Sequence, residues 1–222
     1  MDWFRAVNSY CERTDASYWS EPLNAVTNAA FLVAAALCWR ITERDPGARL
    51  LVLILAAIGV GSYLFHTHAQ IWAMMADVLP IQAFILLYIG LSSVRFFGAP
   101  WWGGLAAAAA FVPLASVVGA GIVELFGPLN GSAGYMPVLL LIVAYAIALR
   151  RRAPETARSM AVGAAILAVS LTFRTIDEAV CATVPIGTHF LWHLLNAALL
   201  GWMIRALVRH PRPALAPVGG PR

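Results

Sequence analysis

Apolar residues gather along this chain in seven stretches, at about 24–39, 50–66, 77–94, 102–124, 135–149, 159–176 and 188–208. Each approaches the roughly 20 residues that carry a helix across a ~30 Å hydrocarbon core, and only short polar breaks separate them. The pattern predicts an all-α membrane protein, a bundle of seven transmembrane helices in a single domain spanning residues 1–210, with 1–23 as a segment outside the membrane. The fifth stretch is short as delimited and is expected to extend into its flanks. Beyond it all, Pro211 to Arg222 (PRPALAPVGGPR) is rich in proline and glycine with no apolar period, and reads as a disordered tail.

Composition narrows the class further. Of the 222 residues, 61% are hydrophobic and only 12% charged, against about 25% charged in an ordinary soluble domain. So apolar a chain can bury enough surface to order itself, which excludes intrinsic disorder. The pI of 9.3 raises the question of an anionic partner. Every one of the 15 basic residues is arginine, however, and no dense basic run is interleaved with aromatics as a nucleic-acid face requires.

The arginines instead alternate with the predicted spans. Arg40, Arg44, Arg49, Arg95, Arg150, Arg151, Arg152, Arg158, Arg205, Arg209, Arg212 and Arg222 fall on one side, whereas Arg5, Arg13 and Arg174 fall on the other. Short cytoplasmic loops carry the arginine excess, so the N-terminus is expected outside and the C-terminus in the cytoplasm. The start MDWFR has an acid where a signal peptide has its basic region, and the first helix is expected to direct insertion itself. An arginine-only, alanine-rich chain also points to a GC-rich bacterial source, hence an inner-membrane protein.

Ionisable groups at membrane depth are functional candidates by default. The topology puts His66, Asp77, Glu124, His189 and His193 at the same, outer side of the bilayer. His189 and His193 are four residues apart, so both imidazoles share one helix face. His66 supplies a third ligand and stands four residues after Ser62. Three histidines with one open position suit catalytic zinc, which lowers the pKa of a water to about 7. Asp77 could then take a proton, and Ser62 could donate a hydrogen bond to charge developing on a substrate carbonyl. The competing reading of such histidines is hydrogen bonding between helices. His68 rivals His66 as a ligand, but it lies further into the loop and has no serine four residues before it. Glu124 lacks a spaced partner and reads as a helix-end charge, and His210 as a solvated residue.

The outer N-terminal segment holds Glu12, Asp15 and Glu21 within ten residues. It is either a solvated acidic stretch that eases translocation or a source of oxygen ligands for a hard cation such as calcium. Asn24 and Asn28, again four apart, are expected to bond to neighbouring helices or to that segment. Cys11 and Cys181 share the outer compartment whereas Cys38 lies in the inner half of span one, which predicts a Cys11–Cys181 disulfide and an inert Cys38.

The motifs YCERTD and SEPLNAVTNAAF, then GSYLFHTHAQIWAMMADVLP, then RTIDEAVC followed by THFLWHLL, together resemble the alkaline ceramidases, seven-span hydrolases in a superfamily shared with the adiponectin and progestin receptors. The resemblance runs from about Asn8 to Trp202. Its most specific part is S-x-x-x-H, an aspartate eleven residues later, and H-x-x-x-H in the last span. It implies zinc on His66, His189 and His193, with Ser62 and Asp77 completing the site, and hydrolysis of ceramide to a sphingoid base and a fatty acid. It also implies calcium on Glu12 and Glu21, and it supports the disulfide. This chain has Ser9 and Thr14 where the eukaryotic members carry an aspartate and an asparagine, so either Asp15 substitutes as a calcium ligand or calcium binds weakly or not at all.

Two rival readings remain at this stage. One is a lipid-sensing, receptor-like protein with a non-catalytic zinc site, against which stands the lack of a sizeable soluble domain to carry a signal. The other is a channel or proton carrier, which needs polar positions down the inner halves of the spans, and those halves are almost wholly apolar. The expected substrate is ceramide or another N-acyl lipid, the expected partners are membrane lipids, and neither nucleic acid nor an obligate protein partner is implied.

Overall fold

A computed structural model describes residues 2–211; Met1 and residues 212–222, which include nearly all of the expected disordered tail, lie outside the described residues. Among the described residues, seven helices are long and apolar enough to cross a membrane. They are α1 (Pro22–Thr42), α2 (Pro46–His68), α3 (Ile71–Phe97), α4 (Trp101–Phe126), α5 (Leu129–Leu149), α6 (Pro154–Val180) and α7 (His189–Arg209). The predicted stretches fall inside these helices, the seventh offset by one residue. The fifth does extend, through a 3-10 segment at Leu129–Tyr135 in which Asn130 (φ 50°) and Gly131 (φ 76°) are left-handed.

Local chemistry sets several boundaries. Pro46 and Pro154 occupy first turns, where a missing N–H costs nothing. Asp45 caps α2 by accepting from the Ala48 N–H at 3.1 Å. The same carboxylate takes two hydrogen bonds from Arg95, both at 2.5 Å, tying the start of α2 to the end of α3. Left-handed Gly98 (φ 70°) closes α3.

α2 and α7 are the most enclosed helices and α4 the least. Leu51, Leu55 and Ile58 of α2 meet Met160 of α6 and Ile204 and Leu207 of α7 in one core. Around the outside, Leu37, Val117 and Leu125 are largely exposed to the surroundings, an arrangement that suits hydrocarbon and not water.

The N-terminal segment is strapped across one end of this bundle. Val7 donates to the Ala69 carbonyl at 2.7 Å, Ile71 to Arg5 at 3.2 Å and Trp72 to Trp3 at 3.1 Å. Further on, Cys11 is joined to Cys181, 170 residues away, with Cα atoms 5.3 Å apart. Cys38 is free and buried. The disulfide is therefore the pairing expected from compartment alone. Because it closes so long a loop, Cys11→Ser is expected to cost about 2–4 kcal/mol and to lower the thermal midpoint of the detergent-solubilised protein by roughly 5–10 °C. A wild-type protein treated with reductant should match it.

Candidate metal centre

Two helices, α2 and α7, bring His66, His189 and His193 together beneath the strap. Each offers a nitrogen, and these atoms all lie within 4.8 Å of one another. Their rings are 4.7–5.3 Å apart between centroids, and all three side chains are almost completely buried. Such burial would ordinarily demand a hydrogen bond for every ring nitrogen, yet His66 Nε2, His189 Nδ1 and His193 Nε2 have no partner.

The opposite nitrogens explain which tautomers are present. The Glu21 carboxylate has only acceptors, so its 2.6 Å contact makes His66 Nδ1 the N–H donor and leaves the Nε2 lone pair free. Thr27 points its single hydroxyl proton at the carbonyls of Leu23 (2.8 Å) and Asn24 (3.1 Å), and so accepts from His193 Nδ1 at 3.0 Å. His193 is left with its own free Nε2. Two of the three unpartnered nitrogens are thus presented as lone pairs at one point, with orienting partners behind them, as imidazole ligands of a metal require. The donor set fits zinc, which is held by neutral imidazole.

Neighbouring contacts fix this arrangement. Arg13 donates through Nε to Glu21 at 2.5 Å and through Nη2 to the His66 carbonyl at 2.9 Å. Burial works against the Glu21 charge, but the His66 and Arg13 contacts outweigh it and hold the carboxylate below its ordinary range. Tyr10 stacks on His189 with ring centroids 3.7 Å apart. Asp177, fully buried, accepts from the backbone N–H groups of Thr188 (2.6 Å) and His189 (2.9 Å) at the start of α7, and from Cys11 (3.1 Å) on the strap.

Ser62 faces Asp77 across the α2–α3 contact, close enough to hydrogen-bond to its carboxylate, and Asp77 also interacts electrostatically with His66. The closeness depends on Gly61, where a Cβ would overlap the Ala76 carbonyl. Gly61→Val is therefore expected to push α3 away, separate Ser62 from Asp77 and depress turnover by at least about tenfold. Metal content, which the histidines of α2 and α7 would set, should change far less. Metal analysis and kinetics on the same preparation check this.

Several expected residues lie elsewhere. His68 is exposed and packs edge-on against Tyr18, away from the cluster. Glu124 is exposed near the end of α4. His210, expected in solvent, is half-buried, receives or gives a 2.8 Å hydrogen bond with Thr156 and packs on Phe96, and burial pushes its imidazole down. The three acids proposed for calcium are not drawn into one group. Glu12 accepts from the Leu23 and Asn24 N–H groups at 2.7 and 2.8 Å, Glu21 is engaged as described, and Asp15 is exposed and accepts from the Ser17 N–H. Asn24 does meet the acidic segment, donating to Glu21 at 3.1 Å.

A protein-family model described as Ceramidase matches residues 6–209. The chain belongs to the ceramidase family. No curated protein matches it. Family membership implies a hydrolase of amide bonds acting on a lipid such as ceramide. This ceramidase-family bundle has a narrow apolar groove between Trp192 and Tyr135 that passes Phe84, Leu199 and Leu200. It continues along α3, α5 and α7 past Tyr88 and Met203.

Glu21, Thr27, Tyr10 and Asp177 were not recognisable from spacing as partners of the histidines, since each meets its partner across 45 to 179 residues or through backbone atoms. The one available signal was the acidity of the N-terminal segment, which pointed to a cation and not to a histidine.

Proposed function

We propose that this member of the ceramidase family is a zinc-dependent intramembrane hydrolase that cleaves the amide of ceramide or a related N-acyl lipid, releasing a sphingoid base or other amine and a free fatty acid. One observation carries the reading: three buried imidazoles with unpartnered nitrogens stand beside a Ser62–Asp77 pair at the head of an apolar groove. Bound to His66, His189 and His193, zinc would supply Lewis acidity toward the amide carbonyl and lower the pKa of a water. Asp77 is the base that takes a proton from the attacking water and then returns it to the departing amine. Ser62 turns its O–H from Asp77 toward the carbonyl oxygen as negative charge develops there. Glu21 and Thr27 keep His66 and His193 in the tautomers described, and the groove takes the acyl chain.

The arginine distribution supports a site on the extracytoplasmic side, reached by lipid from the outer leaflet. In a bacterial cell that side is the periplasmic face of the inner membrane. Calcium has no part in this reading, because Glu12, Asp15 and Glu21 are not gathered into one ligand group among the described residues.

Purified, zinc-loaded protein is expected to release fatty acid from ceramide or another member of an N-acyl lipid panel, and His193→Ala to release none. If the whole panel stays intact and His193→Ala is indistinguishable from wild type, the enzymatic reading is wrong.

A further inference from the structure

Arg174, on α6, carries a charge that the proposed chemistry does not use. Its guanidinium is packed among three aromatic rings, with Cζ 5.0 Å from the Trp192 centroid, 5.7 Å from Tyr135 and 5.9 Å from Tyr10. Its Nε is buried without a hydrogen-bond partner, and its Nη1 makes only a long 3.4 Å contact with the Tyr10 hydroxyl. Ion pairs within 4.0 Å among the described residues are Arg13–Glu21, His66–Glu21 and Arg95–Asp45, and Arg174 belongs to none of them. Asp77 feels the Arg174 charge, as do His189 and His193, so the guanidinium lies at the metal centre but is not neutralised by contact.

A buried cation is costly unless an anion pairs with it, and aromatic faces offset only part of that cost. The unpartnered N–H, with two of the neighbouring rings, Trp192 and Tyr135, forming the head of the apolar groove, gives the missing anion a location. A substrate with its acyl chain in the groove and its amide at the histidines directs whatever lies beyond the amide nitrogen away from the groove. The carboxylate of a released fatty acid would form at the histidines, and inhibition by palmitate distinguishes it from an oxyanion beyond the amide nitrogen.

We infer that Arg174 is a specificity-determining residue that binds an oxyanion on the amine portion of the substrate, so that this enzyme prefers N-acyl lipids whose amine carries a carboxylate or similar anionic group over neutral ceramide. The inference rests on the proposed amide hydrolysis. Planar guanidinium donors match a carboxylate with two parallel hydrogen bonds, and pairing in so enclosed a position gives a large preference for the charged over the uncharged analogue.

The test compares N-palmitoylglycine with its methyl ester, as substrates and as ligands, on zinc-loaded wild type, Arg174→Gln and Arg174→Lys. Wild type is expected to favour the carboxylate by at least about tenfold in kcat/KM. Arg174→Gln should lose at least about tenfold more on the carboxylate than on the ester, and Arg174→Lys should retain part of the preference. Equal handling of the two compounds by wild type overturns the inference. So does an equal loss on both in Arg174→Gln, which would make the arginine a general support of the site. Weaker inhibition of Arg174→Gln by palmitate with an unchanged substrate ratio also overturns it, and assigns the cation to the product carboxylate. If wild type cleaves neither compound nor ceramide, hydrolysis itself has failed. The inference then stands or falls on thermal-shift titration of the same pair, in which wild type should bind the carboxylate more tightly than the ester and Arg174→Gln should not.

Discussion

His66→Ala is expected to empty the metal centre and stop hydrolysis together. Of the three imidazoles, His66 alone comes from α2, so its removal leaves only two ligands, both on one helix. It also leaves Glu21 with Arg13 and the Asn24 amide, which keeps that carboxylate paired and spares the fold. Zinc should fall from about one ion per chain to near zero, and activity by more than the roughly 10–100-fold cost of losing a ligand's hydrogen-bond partner. Glu21→Gln, which removes such a partner, should show that smaller loss. Metal analysis of protein that retains its disulfide and an unshifted thermal midpoint separates loss of metal from loss of structure. A fully active His66→Ala variant would rule out the three-histidine centre.

Asp77→Asn addresses the step at which a proton moves. Asparagine is close in size to aspartate and can still accept from Ser62, so zinc content and KM should stay near wild type. Turnover should fall by about 10²–10⁴, the usual contribution of a placed acid–base group. Ser62→Ala, which removes one donor to the developing oxyanion, should cost about 10²–10³ at most. An Asp77→Asn enzyme within threefold of wild-type kcat would transfer the role of base to another group.

Much of this molecule is readable along the chain because membrane insertion couples sequence to position. Seven apolar stretches fix seven helices, and once their alternation is known, His66, Asp77, His189 and His193 must share a depth. Helical spacing does the rest for His189 and His193. What sets the tautomers is not readable in this way. Thr27 serves His193 through a hydroxyl whose proton is committed to backbone carbonyls, and a threonine in the second turn of an apolar helix is ordinary as a letter. Glu21 is conspicuous as an acid, but charge alone cannot tell a calcium ligand from a partner of Arg13 and His66. His210 escaped for a similar reason, since its environment depends on Thr156 and Phe96 from two other helices. Arg174 counted only as one of three outer arginines until its aromatic surroundings were visible.

Asp177 has a consequence for how the chain matures. Its carboxylate gathers backbone N–H groups from Cys11 on the strap and from Thr188 and His189 at the head of the last helix, while Cys181 follows four residues later, just past the end of α6. Left-handed Gly187 (φ 64°) gives that carboxylate room, since a side chain there would overlap it. The same non-covalent bonds would align the two thiols before any oxidant acts. Oxidation records a choice already made, so the bond should form quickly and as a single isomer, with Cys38 left aside, and only after the seventh helix has been synthesised and inserted.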